Sequence, residues 1–100
     1  MNVIQKVSDI TTTDLAEYLR LDDVTNDDTS LLTTYLSIAK TFVTEYTGRP
    51  MEEIDTFEDC VIVIFVLVQD MWDTRALYVD KTNLNRVVET ILGMHSVNLL

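Results

Sequence analysis

The 100-residue sequence predicts an all-α protein: a small four-helix domain with two longer central helices and short flanking ones. Three observations carry this. Apolar residues recur at steps of three and four along most of the chain, the period of a helix that buries one face. Only two glycines and one proline punctuate it, whereas an all-β chain needs many tight turns. Short polar clusters that suit helix caps precede the apolar stretches. A hydrophobic fraction of 47% and a charged fraction of 24% fit a folded chain rather than a disordered one. The length suits one domain over residues 1–100, with no internal repeat or linker.

After a lead-in of mixed character at 1–10, Thr11 and Asp14 stand at the spacing of a capping box. In that motif the threonine hydroxyl and the acid three residues on each satisfy the other's backbone N–H. Leu15, Tyr18 and Leu19 follow at helical spacing, so a short helix is expected at about 12–20. Residues 22–28 hold four carboxylates without periodicity and read as a loop. They lack the alternation and the glycine of a calcium loop. The second helix is expected at about 29–47, where Leu31, Leu32, Tyr35, Leu36, Ala39, Phe42, Val43 and Tyr46 form one stripe. Gly48 is placed to stop it in a left-handed conformation, and Pro50 prevents its continuation.

Asp55 and Glu58 resemble a second N-cap pair, which predicts a third helix over about 56–75. Its segment Cys60–Val68 is almost wholly aliphatic, and by propensity alone it is the best strand candidate in the chain. The preceding cap signal and the helical continuation Val61, Phe65, Val68, Trp72 favour helix. A helix apolar all round must be covered on all sides, and a neighbouring subunit is the natural supplement to three companion helices. A last helix is expected at about 83–94, from Leu84, Val87, Val88, Ile91 and Leu92, with Asn83 as cap and Gly93 at its end. His95 then falls beyond it, in a tail of residues 95–100.

The net charge is −10 and the seven basic residues are scattered. The basic footprint of a free nucleic-acid binder is therefore missing. The start of the chain shows no apolar secretory segment. The longest apolar run is far too short for a bilayer of ~30 Å. A soluble intracellular protein without membrane association is expected.

Chemistry is sparse. The single Cys60 reads as a buried structural thiol. His95 is the only histidine, and one histidine with one cysteine is too few for an expected metal site. No partnered base and nucleophile are marked, and two separated glycines make no phosphate loop. Neither enzymatic activity nor a cofactor is expected. Trp72 and Arg75 have two readings: core packing and a charge opposing the helix dipole, or a subunit interface, where these residue types are enriched.

The order of these segments is similar to the head–tail connector (adaptor, head-completion) proteins of tailed bacteriophages. Leu15-Ala16-Glu17-Tyr18-Leu19-Arg20-Leu21 resembles their first helix, followed by an acidic loop and a long amphipathic helix. That helix ends in Glu45-Tyr46-Thr47-Gly48-Arg49-Pro50, similar to the family's Tyr-Thr-Gly-Arg ending. An apolar helix closing on Met71-Trp72-Asp73-Thr74-Arg75 comes next, and Val87-Val88-Glu89-Thr90-Ile91-Leu92 matches a final short helix. The resemblance spans about residues 10–94. The family's last helix often runs into a Pro-, Tyr- and Arg-containing end, where this chain has Gly93-Met94-His95-Ser96.

The resemblance implies a non-enzymatic virion protein of a phage or prophage, made in the host cytoplasm and placed at the head–tail interface. Its subunits would form a closed ring of roughly twelve copies beneath the portal, extending the DNA channel. Its partners would be itself, the portal protein and stopper or tail-side connectors, with DNA passing through without sequence-specific binding. Arg49, Trp72 and Arg75 are the candidate interface residues, and Gly48 and Pro50 the candidate turn. Acidity suits a channel that passes DNA without gripping it, and ordinary solubility is the simpler reading of it. The alternative is a small acidic interaction or regulatory protein, a DNA mimic included, acting as a monomer or dimer.

Overall fold

The computed structural model describes residues 4–97 and contains only helices and turns among them. Residues 1–3 and 98–100, the end of the apolar tail, lie outside the described residues. A 3-10 turn at Val7–Asp9 leads into five helices: α1 (Thr12–Tyr18), α2 (Asn26–Thr47), α3 (Met51–Ile54), α4 (Cys60–Thr74) and α5 (Arg86–His95). The two long helices, α2 and α4, pack along each other, and α1 and α5 close on both of them. The domain measures 47 × 29 × 19 Å. Among the described residues no helix is long and apolar enough to cross a membrane.

Both ends of α1 follow from local sequence. The Thr11 hydroxyl accepts from the Asp14 N–H at 3.2 Å, and the Asp14 carboxylate accepts from the Thr11 N–H at 2.9 Å. The helix stops where Arg20 turns left-handed at φ 57, with the Leu21 N–H donating to the Ala16 carbonyl at 3.0 Å. The acidic stretch contains a second capping box. The Thr25 hydroxyl accepts from the Asp28 N–H, and Asp28 accepts from the Thr25 N–H, both at 3.1 Å. Helix α2 therefore starts at Asn26, about one turn before the apolar stripe that suggested 29. Asp27 and Asp28 sit in its first turn, where the helix dipole favours negative charge.

The stripe on α2 faces inward: Leu32, Tyr35, Leu36, Ala39, Phe42 and Val43 are buried. Gly48 ends the helix at φ 70, its N–H donating to the Thr44 carbonyl. Pro50 then caps the short α3, a turn the sequence pattern did not suggest.

Helix α4 begins at Cys60, not near Thr56, and its cap residue is Asp59. Asp55 is committed elsewhere. Its carboxylate accepts from the Ser8 N–H and hydroxyl, pinning the lead-in to the end of α3. That pinning carries Val7 and Ile10 into the core. The six valines and isoleucines of α4 cost about 3 kcal/mol of helix propensity together. Burial of Val61, Val63, Ile64, Phe65, Leu67 and Val68 outweighs this, at about 1.5–3 kcal/mol for each. The domain's own elements cover nearly the whole of α4. Of its apolar side chains only Ile62 stays exposed, at 53%, with Val66 and Trp72 half-buried. The apolar run therefore does not by itself require a neighbouring subunit.

Arg75 ends α4 in a left-handed conformation at φ 57. Residues 76–85 are irregular and organised by Asp80. Its carboxylate accepts from the Thr82 N–H and hydroxyl and from the Asn83 N–H and side-chain amide. These bonds, Thr82 first, hold the Asp80 carboxyl below its ordinary value. Asn83 thus belongs to the turn, and the cap of α5 is Asn85, whose Oδ1 accepts from the Val87 N–H at 2.9 Å. Gly93 lies inside α5 rather than at its end, and His95 is the last helical residue.

Candidate functional site

Three places on this framework collect polar chemistry. The first is the junction where the Tyr46–Pro50 turn meets the end of α5. Thr47 is buried there, its hydroxyl donating to the Val43 carbonyl at 2.7 Å, and its carbonyl accepts from the Val97 N–H at 2.8 Å. Arg49 turns toward its own chain. Its Nε donates to the His95 carbonyl, its Nη1 pairs with Glu53 at 3.1 Å, and its guanidinium lies 5.3 Å from the Phe57 ring centre. Glu53 stands four residues on, across the turn that Pro50 starts. The candidate interface role of Arg49 thus competes with an internal one, the docking of the C-terminal segment.

His95 completes this junction. Its ring stacks on Phe57 at 3.9 Å with 16° between planes. Its Nε2 lies 2.9 and 3.0 Å from the two oxygens of Asp59. The next residue, Cys60, is fully buried. Burial first, and the Asp59 charge second, push its thiol up to about 11, so it is inert as a free nucleophile. Ligand atoms of Asp59, Cys60 and His95 all lie within 4.8 Å of one another. Sequence reasoning missed this cluster. Its members are 35 and 36 residues apart along the chain, and no local spacing foreshadows a contact made only when α5 folds back on the start of α4.

The second place is the end of α4. Trp72 meets Tyr35 edge-on, with ring centres 6.4 Å apart and planes at 84°. The Arg75 guanidinium covers the indole at 4.2 Å. The structure brings these two candidate interface residues together and leaves Arg49 at the junction with α5. Beyond them Leu77 and Tyr78 are exposed at 61% and 65%. Two large apolar side chains in succession on an irregular segment form a patch suited to a protein contact.

The third is a cleft of about 590 Å³ between the last turns of α4 and residues 76–85, lined by Met71, Asp70, Asp73, Tyr78, Asp80 and Asn83 among others. Burial, then repulsion from Asp73, raises the Asp70 carboxyl above its ordinary value. The lining offers no histidine, cysteine, serine or basic residue.

No family model, curated protein or solved structure matches this chain.

Proposed function

We propose that the chain is a head–tail connector subunit of a tailed bacteriophage or prophage, a non-enzymatic structural protein that joins a ring beneath the portal. The observation that carries the reading is the succession of elements. A short capped helix leads to a long amphipathic one that ends in Tyr46-Thr47-Gly48-Arg49 with Gly48 left-handed. An apolar helix ending in Trp72 and Arg75 and a short final helix follow. That order is the one the resemblance implies. Fold alone does not carry function, so the weight rests on these matched segments.

The surface supports the same reading. Arg75, Leu77 and Tyr78 stand exposed beside the half-buried Trp72, a combination of residue types that anchors protein interfaces. A net charge of −10 suits a lumen from which DNA must slide freely. Self-association, the portal and tail-side connector or stopper proteins are the partners in this reading.

The test is assembly with a portal. The purified chain is mixed with a tailed-phage portal protein and followed by light scattering and negative-stain electron microscopy. A ring added to the portal supports the proposal. A chain that leaves the portal bare and instead forms a small complex with a basic DNA-binding protein overturns it in favour of an acidic inhibitor.

A further inference from the structure

We propose that Asp59, Cys60 and His95 bind one thiophilic divalent transition-metal ion, zinc above all, and so clip the end of α5 to the start of α4. The argument starts from the donor set. One thiolate, one imidazole nitrogen and one carboxylate oxygen match a borderline-soft cation, while magnesium and calcium take oxygen ligands. The three ligand atoms already lie within 4.8 Å of one another. In a tetrahedral zinc site, bond lengths of about 2.0–2.3 Å place neighbouring ligand atoms about 3.3–3.7 Å apart. Closing that difference takes about 1 Å of side-chain movement. Asp59 and His95 already stand 2.9 Å apart, so the separation to be closed is the one to the buried Cys60 Sγ, and the Asp59 and His95 side chains, 38% and 20% exposed, have room to move toward it.

The surroundings orient the ligands. Phe57 fixes the plane of the His95 ring by stacking at 3.9 Å. Arg49 holds the His95 carbonyl, and the Thr47 carbonyl holds Val97 just beyond. Support of this kind around the ligands raises metal affinity. The His95 Nε2 faces the Asp59 carboxylate at 2.9 Å, and a cation entering between them replaces a proton in that contact. Charge also balances. A carboxylate and a thiolate together neutralise a divalent ion, which a partly buried position requires. On binding, the Cys60 S–H bond breaks, its proton passes to solvent and a metal–sulfur bond forms. The fourth position is left to water or an exogenous donor.

The experiment uses the full chain, stripped of metal and titrated with Co²⁺ and then Zn²⁺. One equivalent of Co²⁺ should produce a near-ultraviolet thiolate-to-cobalt band, and Zn²⁺ should displace it. Zn²⁺, unlike Mg²⁺, should raise the melting temperature. Cys60→Ala should abolish the band, and His95→Gln should weaken Zn²⁺ binding at least about tenfold. His95 is partly exposed, so its variant remains informative if a change at the buried Cys60 unfolds the chain. Absence of a thiolate band, or equal Zn²⁺ affinity in His95→Gln, would assign any binding to scattered surface carboxylates and overturn the proposal.

Discussion

Asp55 accepts two hydrogen bonds from Ser8, one from the backbone N–H at 3.0 Å and one from the hydroxyl at 2.7 Å, across 47 residues of chain. This pair closes the N-terminal lead-in over the core and seats Val7, which is fully buried. Asp55→Ala removes both acceptors. Because the pair is open to solvent, the expected loss is about 1 kcal/mol, below the usual range for bonds to a charged group. Chemical denaturation should show a lower midpoint. An unchanged midpoint would show that Val7 and Ile10 hold the lead-in without the carboxylate.

Asp55 also marks where sequence reasoning reached its limit. A carboxylate three residues before Glu58 has the pattern of a helix cap, and nothing local reveals that Ser8 claims it instead. The Thr11–Asp14 box was legible because both partners lie within one turn, and the α2 stripe and Gly48 were legible for the same reason. Thr25 and Asp28 have the same spacing, but the surrounding acids make their stretch look like an unstructured loop. Cys60–Val68 was legible as helix only through its flanks. Its coverage by the other elements was not legible, since burial depends on how α1, α2 and α5 arrive around it. The Asp59–Cys60–His95 cluster belongs to that same class of long-range contacts.

The two glycines should respond in opposite directions. Gly48 adopts φ 70, where a β-branched side chain meets the backbone. Gly48→Val is expected to cost more than about 1 kcal/mol. Gly93 sits within α5, and a Cβ there would meet nothing within 4 Å. Gly93→Ala should therefore stabilise by about 0.5–1 kcal/mol, through lower entropy of the unfolded chain and better helix propensity. Thermal melts of both variants check the assignments. A destabilising Gly93→Ala would place the end of the helix before that residue.

Asp70 and Asp73 crowd the last turn of α4, where the helix dipole disfavours negative charge. The Asp70 carboxyl is raised by burial and then by Asp73. A raised carboxyl means that the folded protein holds this proton more tightly than the unfolded chain does. Ionised Asp70 therefore destabilises at neutral pH, and stability attributable to this group rises as pH falls through its folded value. Asp70→Asn should stabilise by a few tenths of a kcal/mol at neutral pH, a figure discounted for solvent screening. The gain should vanish below the ordinary aspartate value of ~3.9. The quantity to measure is the difference in melting temperature between variant and parent at each pH, which cancels the other carboxylates. A difference that grows on acidification would contradict the sign.

The Trp72–Arg75 pair separates folding from assembly. Trp72 is half-buried and meets Tyr35, whose ring is fully buried and whose hydroxyl finds no hydrogen-bond partner among the described residues. Trp72→Ala opens that contact and should cost about 3 kcal/mol, near the lower limit for loss of a large aromatic side chain. Arg75 is exposed, and its left-handed backbone is itself unfavourable for a non-glycine residue. Arg75→Ala loses only the contact with the indole, about 0.5–1 kcal/mol. The variant should stay folded, with altered tryptophan fluorescence as the guanidinium leaves the ring. In the connector reading it should also join portal-containing particles more weakly, because an exposed arginine beside Leu77 and Tyr78 is placed to anchor a neighbour. The two measurements divide the interpretation. A folded Arg75→Ala chain that enters particles normally and retains DNA would make this arginine a cover for Trp72 and move the search for the interface to Ile62 or Val87, which are also exposed.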